Sequence, residues 1–314
     1  MKQADISVLN FKYKVFEKAE VDTCILCFKK SEANKKIALL QSREKNKIEL
    51  VKEMETSIFL NTQEHVINIE AFVNAKVFSI IEKIEKHSVQ LKECATVKSG
   101  LKAYAVGSGM PKQTEKMKRE RVYHSKEKIT DSYVKYLSGS DVKRYRLMWE
   151  NEEYLLYGKN LAEPRKDWAL FSSPRILVRQ IPSQPPYCIH ACYTEEVLLN
   201  DMNSMNIINI QDNPYFILAV LNSKPLSFWF VHKFGKLTRG TFPQFKVNEL
   251  SIFPIPKASN EAKERLAHLA KDMMDTISKF TSAKFDTDKK FLTQRIDLLD
   301  KKIDSYVCVL YGVS

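Results

Sequence analysis

The sequence predicts an α+β fold with a small N-terminal sheet, a connector helix, a mixed β-rich region and a closing pair of helices. Three observations support this prediction. The first thirty residues alternate apolar and polar positions and then run apolar, as two β-strands joined by a short turn do. Residues 70–92 place apolar side chains at helical spacing, and two further helical stretches, 259–282 and 286–311, end the chain. Between these helices, glycines and prolines separate short β-rich runs, so a helix-only fold is excluded.

Length and composition indicate a globular protein with a basic surface. The chain has 314 residues, which is enough for about two domains with a buried core each. It carries 50 Lys and Arg against 38 Asp and Glu, a formal net charge of +12, which favours a polyanionic partner. No run approaches the roughly 18 apolar residues that a membrane span needs, and no apolar signal region follows the first charges. We therefore expect a cytoplasmic protein.

The N-terminal region predicts strands followed by one helix. ISVLNFKYKV and VDTCILCFKK read as two strands joined by a short turn, and KIALLQ reads as a third. The charged span after KIALLQ has no clear pattern. Residues 70–92 form an amphipathic connector of about four turns. Because no glycine occurs before Gly100, a glycine-rich phosphate or cofactor loop cannot be built in this region.

The six cysteines do not predict a disulfide framework or a metal site. They are scattered along the chain, as reduced and partly buried thiols are. Cys24 and Cys27 have CxxC spacing but lie in an apolar strand without a second pair. Cys188, His190 and Cys192 would share one face of an extended strand, yet no fourth ligand for zinc is evident.

The excess positive charge is concentrated between Lys98 and Arg146, where 13 basic residues face five acidic ones. Residues 112–129, KQTEKMKRERVYHSKEKI, lack a deep apolar face, so we interpret them as a loop that orders on nucleic acid. A solvated loop is the alternative. Next, Lys143, Arg144 and Arg146 alternate with apolar and aromatic residues, a pattern that suits phosphate contact and base stacking.

Residues 154–181 predict a rigid platform that carries basic side chains. YLLY and RILV are short β-rich runs, and the turn signals between them predict a hairpin or two neighbouring strands. Arg165 and Lys166 would project from the connection, while Arg175 and Arg179 bracket the second strand and Gln180 extends it. Guanidinium and amide groups in this arrangement suit the groove of a duplex. A solvated sheet edge with protective charges is equally consistent with the pattern.

The last third of the chain predicts strands, one buried helix, a flexible loop and a helical pair. Residues 193–211 read as two short strands, and a single helix is expected to start near Pro214. The loop GKLTRGT carries Lys236 and Arg239 between glycines and resembles a contact loop, although a plain connection is nearly as well supported. An extended segment with Lys246 follows and ends in prolines. Heptad-like spacing over 259–282 and 286–311 predicts antiparallel helices packed on the domain or on another subunit.

The order of these pieces resembles the TaqI-like C-terminal specificity domain, the target-recognition part of adenine-specific DNA methyltransferases and type IIG restriction-modification enzymes. The resemblance covers roughly residues 90–314. Residues 1–45 are similar to the last strands of the catalytic domain of the same enzymes. The segments that carry the resemblance are GSDVKRY (139–145), YLLYG followed by LAEPR, SSPRILVRQI (172–181), YFILAVLNSKPLSFWF (215–230), GTFPQFKVNELSIFPIP (240–256) and YVCVLYG (306–312).

The resemblance implies four parts: a remnant of a methyltransferase sheet at 1–69, the connector at 70–92, a target-recognition domain at 93–258 and antiparallel helices at 259–314. It implies sequence-specific binding of double-stranded DNA. The methyltransferase and nuclease domains of the parent enzyme, or a partner subunit, would act on that DNA. The side chains expected to contact DNA are Lys143, Arg144, Arg146, Arg165, Lys166, Arg175, Arg179, Gln180, Lys236, Arg239 and Lys246.

The same resemblance predicts that catalysis lies outside this chain. The family binds S-adenosylmethionine through a glycine-containing loop and holds a flipped adenine with an Asn-Pro-Pro-Tyr type motif. Residues 212–215 have one proline only, and residues 184–187 lack the asparagine, so we expect no catalytic residue and no cofactor here. S-adenosylmethionine, and optionally Mg²⁺, would serve the parent enzyme. The alternative is a stand-alone specificity or assembly subunit of a type I-like system that acts through its terminal helices.

Overall fold

The computed structural model describes residues 4–18, 23–30, 36–56, 74–234 and 244–313. The β-strands are β1 (Ala4–Phe11), β2 (Cys24–Lys30), β3 (Lys36–Glu44), β4 (Lys47–Glu55), β5 (Ser88–Gln90), β6 (Thr96–Ser99), β7 (His124–Ser125), β8 (Tyr133–Leu137), β9 (Val142–Lys143), β10 (Arg146–Leu147), β11 (Glu153–Leu156), β12 (Arg175–Arg179), β13 (Ala191–Thr194), β14 (Leu199–Asn200), β15 (Ser204–Ile208) and β16 (Pro254–Pro256). The helices are α1 (Ala75–Lys86), α2 (Glu115–Glu120), α3 (Ala169–Ser172), α4 (Pro214–Leu221), α5 (Lys224–Phe234), α6 (Val247–Ser251), α7 (Asn260–Ser282) and α8 (Asp286–Tyr311).

The chain is an α+β protein, as predicted, and it forms two compact units. One unit comprises Met1–Lys86 with Val231–Thr241, and the other comprises His87–Phe230 with Phe242–Ser314. The four-part division derived from the resemblance remains a prediction.

The first unit contains the predicted strands in one mixed sheet of order β2-β1-β3-β4. β1 is antiparallel to β2 and parallel to β3. Ile6, Val8, Ile37 and Leu39 form its core, against which Phe78 of α1 packs. The charged span without a clear pattern contains the end of β3 and all of β4. Helix α1 is shorter than the predicted 70–92, because residues 88–90 form β5 and residues 91–93 form a 3-10 turn, while residues 70–73 lie outside the described part of the chain.

The second unit contains two four-stranded sheets, of order β13-β12-β15-β6 and β14-β8-β11-β7. The predicted hairpin of YLLY and RILV is wrong, because β11 lies in the second of these sheets and β12 in the first. Strand β12 lies between β13 and β15, which follow it in the sequence, and four of its five residues are buried. Residues 193–211 likewise contain parts of three strands and not two.

The apolar stretch after Asn213 forms two helices and not one, and the break lies at Asn222–Ser223. The side chain of Asn222 is fully buried and accepts a hydrogen bond from the Ala191 backbone N–H while donating to its carbonyl, each at 3.0 Å. Asparagine side chains that hydrogen-bond to backbone groups favour helix ends over helix interiors, and α4 ends at this residue. Helix α4 begins where the Asn213 side chain accepts the Tyr215 N–H.

The C-terminal helical pair is confirmed, and it packs on its own domain. Leu266, Ala267, Ala270 and Met273 of α7 are buried, and α7 packs against α4. On α8 the heptad-like spacing predicts Tyr306 on the packed face, but Tyr306 is 40% exposed and Val307 is buried instead. The helical face of α8 is therefore rotated by one residue at this point relative to the heptad prediction.

Candidate nucleic-acid interface

One end of the sheet β13-β12-β15-β6 brings basic and amide side chains together. Because neighbouring strands run antiparallel, the last residue of β12 lies beside the first residues of β13 and β15. Arg179 pairs with Ser204, and its N–H donates to the carbonyl of His190 at 2.9 Å. The exposed end of this sheet therefore begins at Arg179.

Gln180 connects Arg179 to two further segments. Its N–H donates to the carbonyl of Asn203 at 2.8 Å, and its carbonyl accepts the N–H of Phe245 at 3.2 Å. Lys246, the residue after Phe245, is exposed, and its backbone N–H donates to the Glu249 carboxylate at 2.7 Å. Rigid backbone hydrogen bonds thus hold Arg179, Gln180 and Lys246 at one place.

Lys143 and His190 complete this group. Burial, followed by the charges of Arg179, Arg144 and Lys143, lowers the pKa of His190 to about 4. The imidazole is therefore neutral at pH 7 and lies within the field of three cations. The hairpin β9–β10 that carries Lys143 is anchored by the buried Tyr145, whose N–H donates to the Ala191 carbonyl at 2.8 Å. We call Lys143, Arg179, Gln180, His190 and Lys246 the sheet-end surface.

Two of the sequence-predicted contact residues point into the protein. The Arg144 guanidinium donates to both Asp300 carboxylate oxygens, at 2.6 and 3.2 Å, and to the Asn222 carbonyl at 3.0 Å. It also lies 3.6 Å from the ring centroid of Tyr187. Burial lowers the pKa of Arg144, but the hydrogen bonds and charge of Asp300 outweigh it, so the net shift is upward. Arg144 therefore holds helix α8 to the domain and is withdrawn as a contact residue.

Arg175 is withdrawn for a similar reason. It is fully buried, and its guanidinium donates to the carbonyls of Ser173, Glu196 and Leu198 at 2.9, 3.2 and 3.0 Å. Burial lowers its pKa to about 10, which leaves it charged at neutral pH. The expectation that Arg175 and Arg179 both leave the core is thus wrong for Arg175.

The remaining predicted residues are dispersed. Arg165 donates from Nε to the Gly100 carbonyl at 3.0 Å and lies 3.6 Å from Glu163, which places it beside the end of β6 and near the sheet-end surface. Lys166 is exposed on the same loop. Arg146 donates to Thr281 of α7. Lys236 and Arg239 lie outside the described residues.

The basic segment 112–129 is not a loop throughout, because it contains helix α2 and strand β7 between turns. Thr114 caps helix α2 by accepting the Met117 N–H, and Gln113 accepts from Ala105 and donates to the carbonyls of Ala103 and Asn160. Met117 packs on the core. The cations that α2 and its flanks expose form a second basic surface, separate in sequence from the sheet-end surface. These residues are Lys112, Lys116, Lys118 and Arg119.

Sequence reasoning missed the turn between β14 and β15, which borders Gln180. Asp201, Met202 and Asn203 form it, and two glycines contact it closely. A Cβ added to Gly100 would lie 2.1 Å from the Asp201 carbonyl oxygen, and one added to Gly139 would lie 2.5 Å from that of Asn203. Only glycine permits this approach of backbone to backbone. Gly100 and Gly139 were therefore the signal in the sequence that could have indicated this turn.

The described ranges contain no cluster of three or more His, Cys, Asp or Glu side chains that could hold a metal ion. Cys188 and Cys192 are buried, and burial raises the pKa of their thiols to about 11 and about 12. Across the helices that the structure describes, none is long and apolar enough to span a bilayer.

The family model of the TaqI-like C-terminal specificity domain matches residues 134–255, which include all five residues of the sheet-end surface. This segment is therefore similar to the specificity domains of that family. A curated relative, the putative type II restriction enzyme and methyltransferase of Methanocaldococcus jannaschii, is 23% identical over 307 residues. That match covers 95% of this chain and 24% of the relative, so the chain spans about a quarter of the relative's length.

One solved structure is similar in fold over nearly the whole chain, beyond residues 134–255. The Type IIL restriction-modification enzyme MmeI, solved in complex with DNA, matches 99% of this chain and 43% of its own, with a TM-score of 0.50 and 8% identity. At that identity the match concerns the fold alone. The HsdS subunit from Thermoanaerobacter tengcongensis matches 78% of this chain and 54% of its own, with a TM-score of 0.34 and 9% identity.

Proposed function

We propose that this chain binds double-stranded DNA at a specific sequence and serves as the recognition part of a restriction-modification enzyme. The observation that carries the proposal is the sheet-end surface. In it Arg179, the last residue of β12, and Gln180, the residue that follows it, lie close to Lys143 and Lys246. Arginine bonds the O6 and N7 atoms of guanine, and glutamine bonds the N6 and N7 atoms of adenine, each through two hydrogen bonds. Lysines supply phosphate contacts without sequence preference.

The rigidity of this surface supports a role in reading bases. Arg179 closes an interior strand, and Gln180 is hydrogen-bonded through both its backbone N–H and its carbonyl. Among the described residues, neither the Arg179 guanidinium nor the Lys143 ammonium has an ion-pair partner. Both charges therefore remain available to a ligand, unlike those of Arg144 and Arg175. Specific base contacts depend on such positioning, because a misplaced donor loses both hydrogen bonds.

In this proposal the reactions occur elsewhere in the parent enzyme. Methyl transfer from S-adenosylmethionine to the N6 atom of adenine, and any Mg²⁺-dependent cleavage, belong to catalytic domains that this chain directs to their site. The relative that carries both activities in its name is about four times longer than the segment it shares with this chain, which leaves room for those domains.

The test is a selection of duplexes from a random library with the full chain, followed by affinity measurements over a range of salt concentrations. We expect one enriched sequence and an affinity that falls steeply with salt. Arg179→Ala should relax the preference at one base pair, whereas Lys301→Ala, at an exposed lysine of α8, is the matched control and should change neither. No enriched sequence, or salt-independent binding, would refute the proposal.

A further inference from the structure

The turn between β14 and β15 has a fixed backbone and presents an apolar side chain beside the sheet-end surface. Its backbone is fastened on three sides. The Asp201 N–H donates to the Leu137 carbonyl at 3.1 Å, the Ser204 N–H donates to the Asp201 carbonyl at 3.1 Å, and the Asn203 carbonyl accepts from Gln180. Met202, between them, is 45% exposed.

The Asp201 carboxylate reinforces the turn from inside. It accepts the Asn203 N–H at 3.0 Å and the Asn203 side-chain amide at 2.7 Å, and it also accepts the backbone N–H of Gly139. Burial raises its pKa, so the carboxylate is retained at some energetic expense. A single exposed methionine on a surface is ordinary. One presented by a turn that needs a partly buried carboxylate and two glycines calls for a function.

The neighbours of Met202 indicate what it contacts. Gln180 and Arg179 lie directly beside the turn through the Asn203 and Ser204 pairings, and Arg165 bonds the Gly100 carbonyl on the opposite side. A duplex bound by these polar groups would therefore have its bases next to the exposed side chain of Met202. Proteins that deform DNA insert apolar side chains, methionine among them, between base steps.

We infer that Met202 is a wedge that enters the base stack of the bound duplex at the centre of the sheet-end surface. The inference rests on the proposed DNA-binding function. Arg179, Gln180 and the lysines hold the DNA backbone and the base edges. The thioether and methylenes of Met202 enter between two neighbouring bases and replace their stacking contact. The rigid turn is required because a mobile loop would yield before the base step opened.

The experiment uses the full chain and the duplex obtained by selection, with 2-aminopurine placed at each adenine or purine position in turn. Unstacking raises 2-aminopurine fluorescence. We expect one position to brighten on binding of the wild type and of Met202→Leu, and to stay dark with Met202→Ala, which should bind about tenfold more weakly. Val309→Ala, at an exposed apolar residue of α8, is the control and should match the wild type.

The salt dependence separates the two proposals. With Met202→Ala, the salt slope should equal that of the wild type, because the phosphate contacts are kept. A wild type that binds a specific duplex without any fluorescence change, or a Met202→Ala variant that brightens it as the wild type does, overturns the wedge and leaves DNA recognition standing. A wild type that selects no duplex overturns both.

Discussion

Replacing Arg144 by alanine should destabilise the second unit strongly, although this residue looked like a surface contact in the sequence. The side chains of Arg144 and Asp300 are only 19% and 12% exposed. Alanine at position 144 would leave the Asp300 carboxylate buried without its two hydrogen bonds of 2.6 and 3.2 Å. Removing one partner of a buried ion pair costs about 3–5 kcal/mol, because the remaining charge is uncompensated.

Two further contacts keep the expected value in this range. The guanidinium also donates to the Asn222 carbonyl and lies over the Tyr187 ring, and a desolvated cation–π contact contributes roughly 1–2 kcal/mol. Some of the loss is recovered as the side chains around the site relax and water enters. We therefore expect a decrease of about 4 kcal/mol in the free energy of unfolding.

The measurement is urea denaturation of the full chain at pH 7, followed by tryptophan fluorescence. Trp149, Trp168 and Trp229 all belong to the second unit, so the signal reports on it alone. The double variant Arg144→Ala with Asp300→Ala should lose clearly less unfolding free energy than the sum of the two single variants. Each single variant leaves one charge without its partner, whereas the double variant leaves none. A loss under about 1 kcal/mol for Arg144→Ala, or strict additivity, would refute the buried ion pair.

Three further predictions concern the sheet-end surface and the buried histidines. Arg179→Ala should reduce discrimination at one base pair by about 1–3 kcal/mol in competition binding, with little change in the salt dependence of the affinity. Lys246→Ala should lower the slope of that salt dependence by about one and weaken binding to all duplexes alike. The reverse result would exchange the roles of the two residues. Gly100→Ala should lower the unfolding free energy by about 1–3 kcal/mol in urea, because its Cβ meets backbone at 2.1 Å, and an unchanged midpoint would contradict the close approach. Burial lowers the pKa of His124 and of His190 from 6.5 to about 4, so the unfolded chain binds more protons than the folded chain between these pH values. The unfolding free energy should therefore fall as the pH drops from 6.5 to 4. The urea midpoints of His124→Gln and His190→Gln should depend less on pH, and an unaltered pH dependence would count against this assignment.

Local patterns in the sequence were sufficient for β1, β2 and most of β3 in the first unit and for the C-terminal helices, but not for β4, which lies in the charged span without a clear pattern. The alternation of the first strand and the apolar run of the second match β1 and β2, and the apolar spacing in 259–282 and 286–311 matches α7 and α8 within a residue or two. These elements are long, and their period is a property of neighbouring residues. The short strands β11 and β12 were found, but their pairing was not, because pairing depends on distant segments.

The candidate site was predicted in part. Lys143, Arg179, Gln180 and Lys246 were named from the sequence, and the structure brings them together with His190. Met202 and its turn were missed, since an isolated methionine carries no pattern. The two glycines that clamp the turn lie about a hundred and about sixty residues before it, so their role becomes visible only when the sheets are assembled.

The sequence by itself determined the α+β class, the helical pair and the surplus of positive charge, because composition and period do not depend on how the chain closes. Only the tertiary structure decided which arginines remain available. Arg144 hydrogen-bonds to Asp300, 156 positions later in the sequence, and Arg175 hydrogen-bonds to carbonyls of a later turn. Arg179, on the same strand as Arg175, lies at the end of that strand. A long cationic side chain takes the strongest acceptor within its reach, and that acceptor is set by the packing of distant segments.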